Sequence, residues 1–150
     1  MSCPEIEAFI LRWNYNHKKT ARALRTAPKD KFDWQPQAEL FTLGKMVRHF
    51  PEAEYVLTKT AVTGVMERPD WDFANRTAEE IADIFDQSHE KLVAEVATLQ
   101  AEQLGDKVDF NGHIVSRIDL LHAMHEHEIH HRGQLYTYLH LVGVEPPPLH

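Results

Sequence analysis

The stretch that decides the fold covers residues 116–142 and reads SRIDLLHAMHEHEIHHRGQLYTYLHLV. Ser116 with Asp119 three residues later is a helix start signal, and Gly143 followed by a run of three prolines is a stop signal. Apolar residues recur between these signals at helical spacing: Leu120, Leu121, Met124, Leu135, Tyr138, Leu139 and Val142. The stretch predicts one long amphipathic helix, helix four, whose apolar face must pack on other helices.

Three segments upstream show the same periodicity. Helix one is predicted from Pro4 to Thr26, with Ser2 in its start signal. Helix two follows Thr42, which can cap it, and helix three follows the capping box formed by Thr77 and Glu80. The chain thus contains four amphipathic helices, which is the number needed for a four-helix bundle.

A short hairpin interrupts the helical pattern before helix four. Asn111-Gly112 is a strong turn signal because both positions tolerate positive φ, and short apolar runs flank it. We predict an all-α four-helix bundle with a small β-hairpin near residues 108–115, in a single domain over residues 1–150. The segments 27–41, 67–76 and 100–115 are long enough to cross the bundle, so adjacent helices need not be antiparallel.

Composition narrows the class of protein. The formal net charge of -7 argues against a nucleic-acid or anionic-membrane surface. The one cysteine, Cys3, fits a reducing compartment, and neither a secretory signal nor a membrane-spanning run is recognisable. We therefore expect a cytoplasmic protein that binds neither nucleic acid nor membrane.

Histidine is the anomaly of the composition, with 11 residues, six of them between His122 and His140. His127 and His131 are four residues apart, which places both rings on one helix face about 6 Å apart along the axis. They continue the apolar stripe, so they are expected to point inward, where a shared metal ion satisfies both ring nitrogens at once. The spacing favours a metal site over two separately bonded core histidines.

A third ligand has to come from another helix. His17, His49 and His89 all border the apolar stripes of their own helices, and periodicity alone leaves the three open. We favour His49, which shares its face with apolar residues. The remaining histidines of helix four are expected at the surface, two of them (His125 and His130) near the mouth of the site: His122, His125, His130 and His140.

The segment from His127 to His131 also matches H-E-x-x-H, the zinc peptidase motif in which the glutamate is a general base. The usual further ligand downstream is missing, which weighs against a peptidase. Glu128 is retained as a candidate catalytic acid or base, the alternative being an exposed helix residue. Gly133 predicts that a neighbouring helix or a ligand approaches closely, because glycine in a helix interior costs up to about 1 kcal/mol relative to alanine.

The stretch HEIHHRGQL from His127 to Leu135 resembles the H-x-x-x-H-R-G-Q signature of the DinB/YfiT-like family of metalloenzymes. The segments 32–36, 42–49 and 139–143 are also similar to that family. The resemblance implies a bundle that is often a homodimer, with Ni²⁺ or Zn²⁺ as cofactor, and it carries the ligand roles onto His49, His127 and His131. Pro51, so near His49, is a departure from the pattern.

What the resemblance implies about chemistry is a metal-dependent enzyme acting on a small-molecule substrate. Such enzymes include S-transferases for low-molecular-weight thiols such as bacillithiol, mycothiol or glutathione, and hydrolases of unknown substrate. The alternatives are a non-catalytic metal-binding or stress-response module and, against the charge, a factor acting on DNA. An open three-histidine site supplies a Lewis acid in any of the enzymatic cases.

Overall fold

Four helices and one hairpin make up the structure, a computed structural model that describes residues 3–150. The elements are α1 (Pro4–Arg25), α2 (Leu43–Thr63), α3 (Ala78–Val96), β1 (Lys107–Phe110), β2 (His113–Ser116) and α4 (Arg117–Leu141). The predicted fold class, four helices with a small antiparallel hairpin, is confirmed. None of these helices combines the length and apolarity that a bilayer span requires.

Three helices begin at cap residues whose side-chain oxygens accept backbone N–H groups of the first turn: Thr42, Thr77 and Ser116. At Thr77 the bond is reciprocated by Glu80, which completes the predicted capping box. α1 begins at Pro4 behind Cys3, and the predicted start signal at Ser2 lies outside the described residues. α2 continues through Pro51 to Thr63.

The hairpin turns at the predicted dipeptide. Asn111 and Gly112 have φ values of 52° and 85°, as a two-residue turn of this kind requires, and Phe110 pairs with His113 across it. The hairpin thereby delivers the chain to the cap of α4 at Ser116.

The helices are not packed in chain order. α1 and α2 each pack against both α3 and α4, which places α1 and α2 at opposite corners of the bundle. α2 and α3 are consecutive in the chain and adjacent in the bundle. The first halves of both helices lie in the same apolar cluster, which shows that the two helices run parallel. Residues of α2 and α4 therefore come to lie side by side although α3 separates them in the sequence.

The core has an apolar layer at each end and a polar layer between. One apolar cluster combines the end of α1 with the beginnings of α2 and α3, and the other combines the beginning of α1 with the end of α3. The polar layer takes residues from the middle of every helix: Asn16, His17, Thr20, Glu54, Thr58, Ser88, His89, Glu128 and Arg132. Buried polar groups need partners, so this layer is where the chemistry of the protein is concentrated.

Candidate metal centre

Three histidines from two helices converge at the edge of the polar layer. Nε2 of His127 lies 3.1 Å from Nε2 of His49 and 3.1 Å from Nε2 of His131. All three side chains are half-buried, and a ligand atom of each lies within 4.8 Å of the others. We call His49, His127 and His131 the triad.

The hydrogen bonds around the triad leave lone pairs facing one another. Nδ1 of His131 lies 2.7 Å from Oε1 of Gln134, so Nδ1–H donates to that oxygen and Nε2 of the neutral ring keeps a lone pair. One proton on His127 Nε2 can be donated to only one of its two neighbours. A cation at the centre would satisfy all three nitrogens together.

The spacing of the triad fits a transition metal. Two imidazole nitrogens that each lie about 2.0–2.1 Å from one ion are about 3.0–3.4 Å apart at the usual bond angles. The observed separation between Nε2 atoms is 3.1 Å for both bonded pairs. The ring centres of the triad are 4.3–4.8 Å apart and the planes are steeply inclined, so each ring can direct its own lone pair at a common point.

The triad is held in the neutral form that a metal ligand requires. Burial, helped by the neighbouring charges of His131 and Lys45, lowers the pKa of His49 to about 4. Burial also lowers the pKa of His127 to about 4, helped by the charges of His131 and His49, and lowers the pKa of His131. Near pH 7 these rings are therefore neutral, so each has one nitrogen with a lone pair for a metal ion.

A small cavity of about 10 Å³ lies on the inner side of the triad, and we call it the inner cavity. That volume is about the space of one water molecule. Besides the triad it is lined by Phe50, Glu54, Met124 and Glu128. On the outer side the ring of Phe41 faces His49 and His131, and the Lys45 ammonium lies 4.6 Å from the Phe41 ring centre.

Glu128, the glutamate of the H-E-x-x-H segment, is 5% exposed, so the alternative of an exposed helix residue is wrong. Its Oε2 accepts from the Thr20 hydroxyl at 2.7 Å, while Oε1 has no hydrogen-bond partner among residues 3–150. Burial and the nearby Glu54 carboxyl raise its pKa above the ordinary range. Arg132, one turn later, is also buried and donates to the carbonyl and side-chain oxygens of Asn16.

A second group of potential ligands lies deeper in the polar layer. His17, Glu54 and His89 come from three different helices, are all buried, and bring three potential metal-ligand atoms within 4.8 Å of one another. Nδ1 of His89 lies 2.9 Å from Oε2 of Glu54, and that oxygen accepts a hydrogen bond from Nε1 of Trp13 at 3.0 Å. We call His17, Glu54 and His89 the buried cluster.

The three histidines that the sequence left open as third ligand are thus divided between the two groups. His49 lies beside His127, whereas His17 and His89 stack on each other around Glu54. The sequence analysis did not identify Glu54 and Asn16 as residues of the site, because a charged or amide side chain is not expected in the core. The one available signal was that Glu54 lies on the buried stripe of α2, four residues after Phe50 and four before Thr58.

The other histidines of α4 lie mostly where they were expected. His122, His130 and His140 are exposed, and the ring of His130 contacts that of His131 at 4.9 Å. His125 differs, since it is half-buried and its Nε2 lies 3.0 Å from Nδ2 of Asn16.

No neighbouring helix of the described chain approaches Gly133 closely, so that half of the prediction is wrong; the approach of a ligand stays a prediction. Gly133 is exposed, and a Cβ built there meets nothing within 4 Å in the described part of the chain. The absence of a side chain on this face of α4 is therefore not explained by packing within one chain.

Comparisons with known proteins find a matching family and related sequences. The family model described as "DinB family" matches residues 1–150. An uncharacterised protein of Bacillus subtilis, YrdA, is 24% identical over 148 residues, which is 97% of this chain and 87% of that protein.

Two crystal structures of DinB-like proteins share the fold. YjoA of Bacillus subtilis superposes with a TM-score of 0.76 at 21% identity, covering 95% of this chain and 97% of that one. A protein from Bacillus cereus gives a TM-score of 0.81 at 20% identity, covering 96% and 97%.

Proposed function

Because the chain belongs to the DinB family, we propose that it is a metal-dependent enzyme that holds one divalent ion, Ni²⁺ or Zn²⁺, on His49, His127 and His131. The observation that carries the proposal is the convergence of three Nε2 atoms, two pairs of them 3.1 Å apart, on neutral rings. Bound there, the ion supplies a Lewis acid that makes a thiol or water more acidic.

The residues around the triad support an anionic small molecule as substrate. Lys45 is exposed and its charge reaches His49, so it offers a cation beside the proposed ion. Phe41 supplies an apolar surface against both His49 and His131. Glutathione and bacillithiol carry carboxylates that such a cation attracts, and we propose S-transfer of a low-molecular-weight thiol to an electrophile as the reaction, with hydrolysis of a small ester or amide second.

Each residue of the site has a separable task in this scheme. Gln134 fixes the ring of His131 so that Nε2 faces the centre. Phe50 and Met124 close the inner side with apolar surface and limit the water that can enter. Glu128 lines the same cavity and is our candidate for the acid or base that moves a proton there.

A second candidate function, a metal-binding module without catalysis, is favoured by one observation. The inner cavity has only about 10 Å³, so no substrate fits between the triad and the core. The same small volume argues against a peptidase, because a peptide cannot reach Glu128 through it. We further propose a homodimer and a cytoplasmic location, as expected from the resemblance and from the one cysteine.

Metal content and turnover test the proposal. Untagged protein is loaded with Ni²⁺ or Zn²⁺, and we expect one ion per chain in the wild type and none in His127→Ala. His122→Ala, which removes an exposed histidine five residues earlier on α4, is the matched control and is expected to keep its ion. Each form is then incubated with bacillithiol, mycothiol or glutathione and a model electrophile. Turnover by the wild type but not by His127→Ala supports an enzyme. Ion binding without turnover supports the metal-binding module. Wild-type protein that binds no ion overturns both proposals.

A further inference from the structure

We propose that the buried cluster of His17, Glu54 and His89 holds a proton and not a metal ion, and that Glu54 presents this proton at the wall of the inner cavity. The existence of the proton follows from the cluster itself. Its use as an acid beside the triad rests on the proposed function.

The Nε2 atoms of His17 and His89 point away from Glu54, and each already has a hydrogen-bond partner. Nε2 of His17 lies 2.7 Å from Oδ1 of Asp86, and Nε2 of His89 lies 2.7 Å from Oδ1 of Asn14. Both partners are acceptor oxygens, so each Nε2 carries a hydrogen and donates it. A neutral ring with hydrogen on Nε2 has a lone pair on Nδ1, and both Nδ1 atoms therefore face the Glu54 carboxyl as acceptors.

The contact between His89 and Glu54 then requires a shared proton. Nδ1 of His89 and Oε2 of Glu54 are 2.9 Å apart, a hydrogen-bond distance between two atoms that would otherwise both be acceptors. Both side chains are buried, at 5% and 3% exposure, so water cannot separate two opposed lone pairs. One proton between His89 Nδ1 and Glu54 Oε2 turns a repulsive contact into a hydrogen bond, either charge-assisted or neutral.

A metal ion does not fit the same group of atoms. The rings of His17 and His89 are stacked, with centres 3.8 Å apart and planes inclined by only 8°. An imidazole binds an ion in the plane of its ring, and two nearly parallel rings cannot both hold one ion in plane. The triad differs in this respect, because its rings are inclined by 59–90°.

Burial favours the proton on the carboxyl. Glu54, on α2, faces His17 from α1, His89 and Asp86 from α3, and Glu128 from α4. Burial has the largest effect and raises the pKa of Glu54. A positive charge on His17 and the hydrogen bond from Trp13 would act in the opposite direction, and the charge of Asp86 adds a smaller rise. Burial lowers the pKa of His89 to about 4. The raised pKa of Glu54 and the lowered pKa of His89 both favour a neutral carboxyl, whose Oε2–H donates a hydrogen bond to His89 Nδ1.

Glu54 connects this proton to the proposed reaction. It lines the inner cavity together with the triad, and its Oε1 is buried without a hydrogen-bond partner among residues 3–150. Transfer breaks the carboxyl O–H bond, leaves its electron pair on Glu54, and forms a new O–H bond on the one water molecule that the cavity has room for. That water gives up one of its own protons, which forms the new bond on a thiolate or alkoxide leaving group at the triad. The Trp13 N–H then stabilises the carboxylate, and reprotonation restores the starting state.

The first experiment uses metal-free protein with ¹⁵N-labelled histidine, so it does not depend on the proposed function. Long-range ¹H–¹⁵N spectra report which ring nitrogen carries hydrogen. We expect His17 and His89 as Nε2–H tautomers, with the His89 Nδ1 signal shifting as Glu54 titrates. Glu54→Gln removes that shift because its amide cannot titrate, whereas Glu128→Gln, the matched carboxyl of the inner cavity, keeps it. A neutral His89 with hydrogen on Nδ1, or a shift that survives Glu54→Gln, overturns the proposal.

The second experiment counts metal ions at saturating Ni²⁺ or Zn²⁺. We expect one ion per chain in both the wild type and the double variant His17→Gln, His89→Gln. Two ions in the wild type and one in the double variant would make the buried cluster a metal site and overturn the inference. No ion in the wild type removes the proposed function but leaves the tautomer result standing. If Glu54→Gln does not fold, the wild-type tautomers alone decide.

Discussion

Oε1 of Gln134 lies 2.7 Å from Nδ1 of His131, on the side of the ring that faces away from the triad. A ligand histidine whose outer nitrogen is anchored in this way keeps one tautomer and one orientation. Gln134 is exposed, so its effect on folding is small and its effect on the site can be measured separately.

Removal of that acceptor is expected to weaken metal binding. Gln134→Ala leaves His131 free to rotate and to change tautomer. We expect metal affinity to fall about 10-fold, which is the lower end of the range found when a residue that hydrogen-bonds a metal ligand is removed. Competition with a chromophoric chelator measures the affinity. Gln134→Glu keeps an acceptor oxygen at the same place and is the control expected to retain wild-type affinity or exceed it. Equal affinities for all three proteins would contradict the anchoring role.

Acid is expected to destabilise the metal-free protein through the triad. The pKa of His49 and of His127 is about 4 in the folded state, against about 6.5 in an unfolded chain. Between these values the unfolded chain binds protons that the folded state does not, so the free energy of unfolding falls as the pH drops from 6.5 towards 4. Urea unfolding across this range measures the slope.

The double variant His49→Gln, His127→Gln is expected to flatten that slope. Glu54 and Glu128 have the opposite effect on the pH dependence of stability, because their pKa values are raised in the folded state. Their contribution to the free energy of unfolding is lost as the pH rises. Both carboxyls are present in wild type and variant, so the difference between the two slopes isolates the histidines. A variant as acid-sensitive as the wild type would show that these rings are not kept neutral.

Two fully buried threonines offer a matched test of the polar layer. The hydroxyl of Thr20 donates to Oε2 of Glu128 at 2.7 Å, whereas the hydroxyl of Thr58 has no hydrogen-bond partner among the described residues. Thr20→Val is expected to cost about 1–3 kcal/mol, because it leaves a buried carboxyl oxygen unpaired. Thr58→Val is expected to be neutral or stabilising. Denaturant unfolding of both variants checks the difference, and equal costs would refute the assigned bond.

Gly133→Ala is expected to stabilise the single chain. The position is helical, exposed and free of neighbours within 4 Å of a Cβ, so alanine gains up to about 1 kcal/mol of helix propensity. Thermal unfolding at low protein concentration measures the gain. If stability falls instead, and falls more at high concentration, a second chain packs on this face.

Local signals in the sequence were sufficient for the secondary structure. The capping box of Thr77 and Glu80 and the turn at Asn111 and Gly112 depend only on residues within a few positions, and both form as predicted. The spacing of His127 and His131 is equally local, because it depends on one helix.

The third member of the triad depends on tertiary structure. His17, His49 and His89 have similar apolar neighbours in their own helices, and only the diagonal placement of α1 and α2 decides which of them meets α4 at this point. Glu54 was missed, and the burial of Glu128 was not expected, for a different reason. Glu54 and Glu128 look like surface residues in a pattern, and their burial depends on partners from other helices, such as Trp13 and Thr20.

The contact between His49 and His127 joins positions 78 residues apart in the chain. An ion held at that point would cross-link α2 to α4 and close a loop that contains all of α3 and the hairpin. Unfolding would then have to release the ion, so the lifetime of the folded chain would lengthen with the supply of free metal. Chains made during metal shortage would open more often and would be the first that proteases remove.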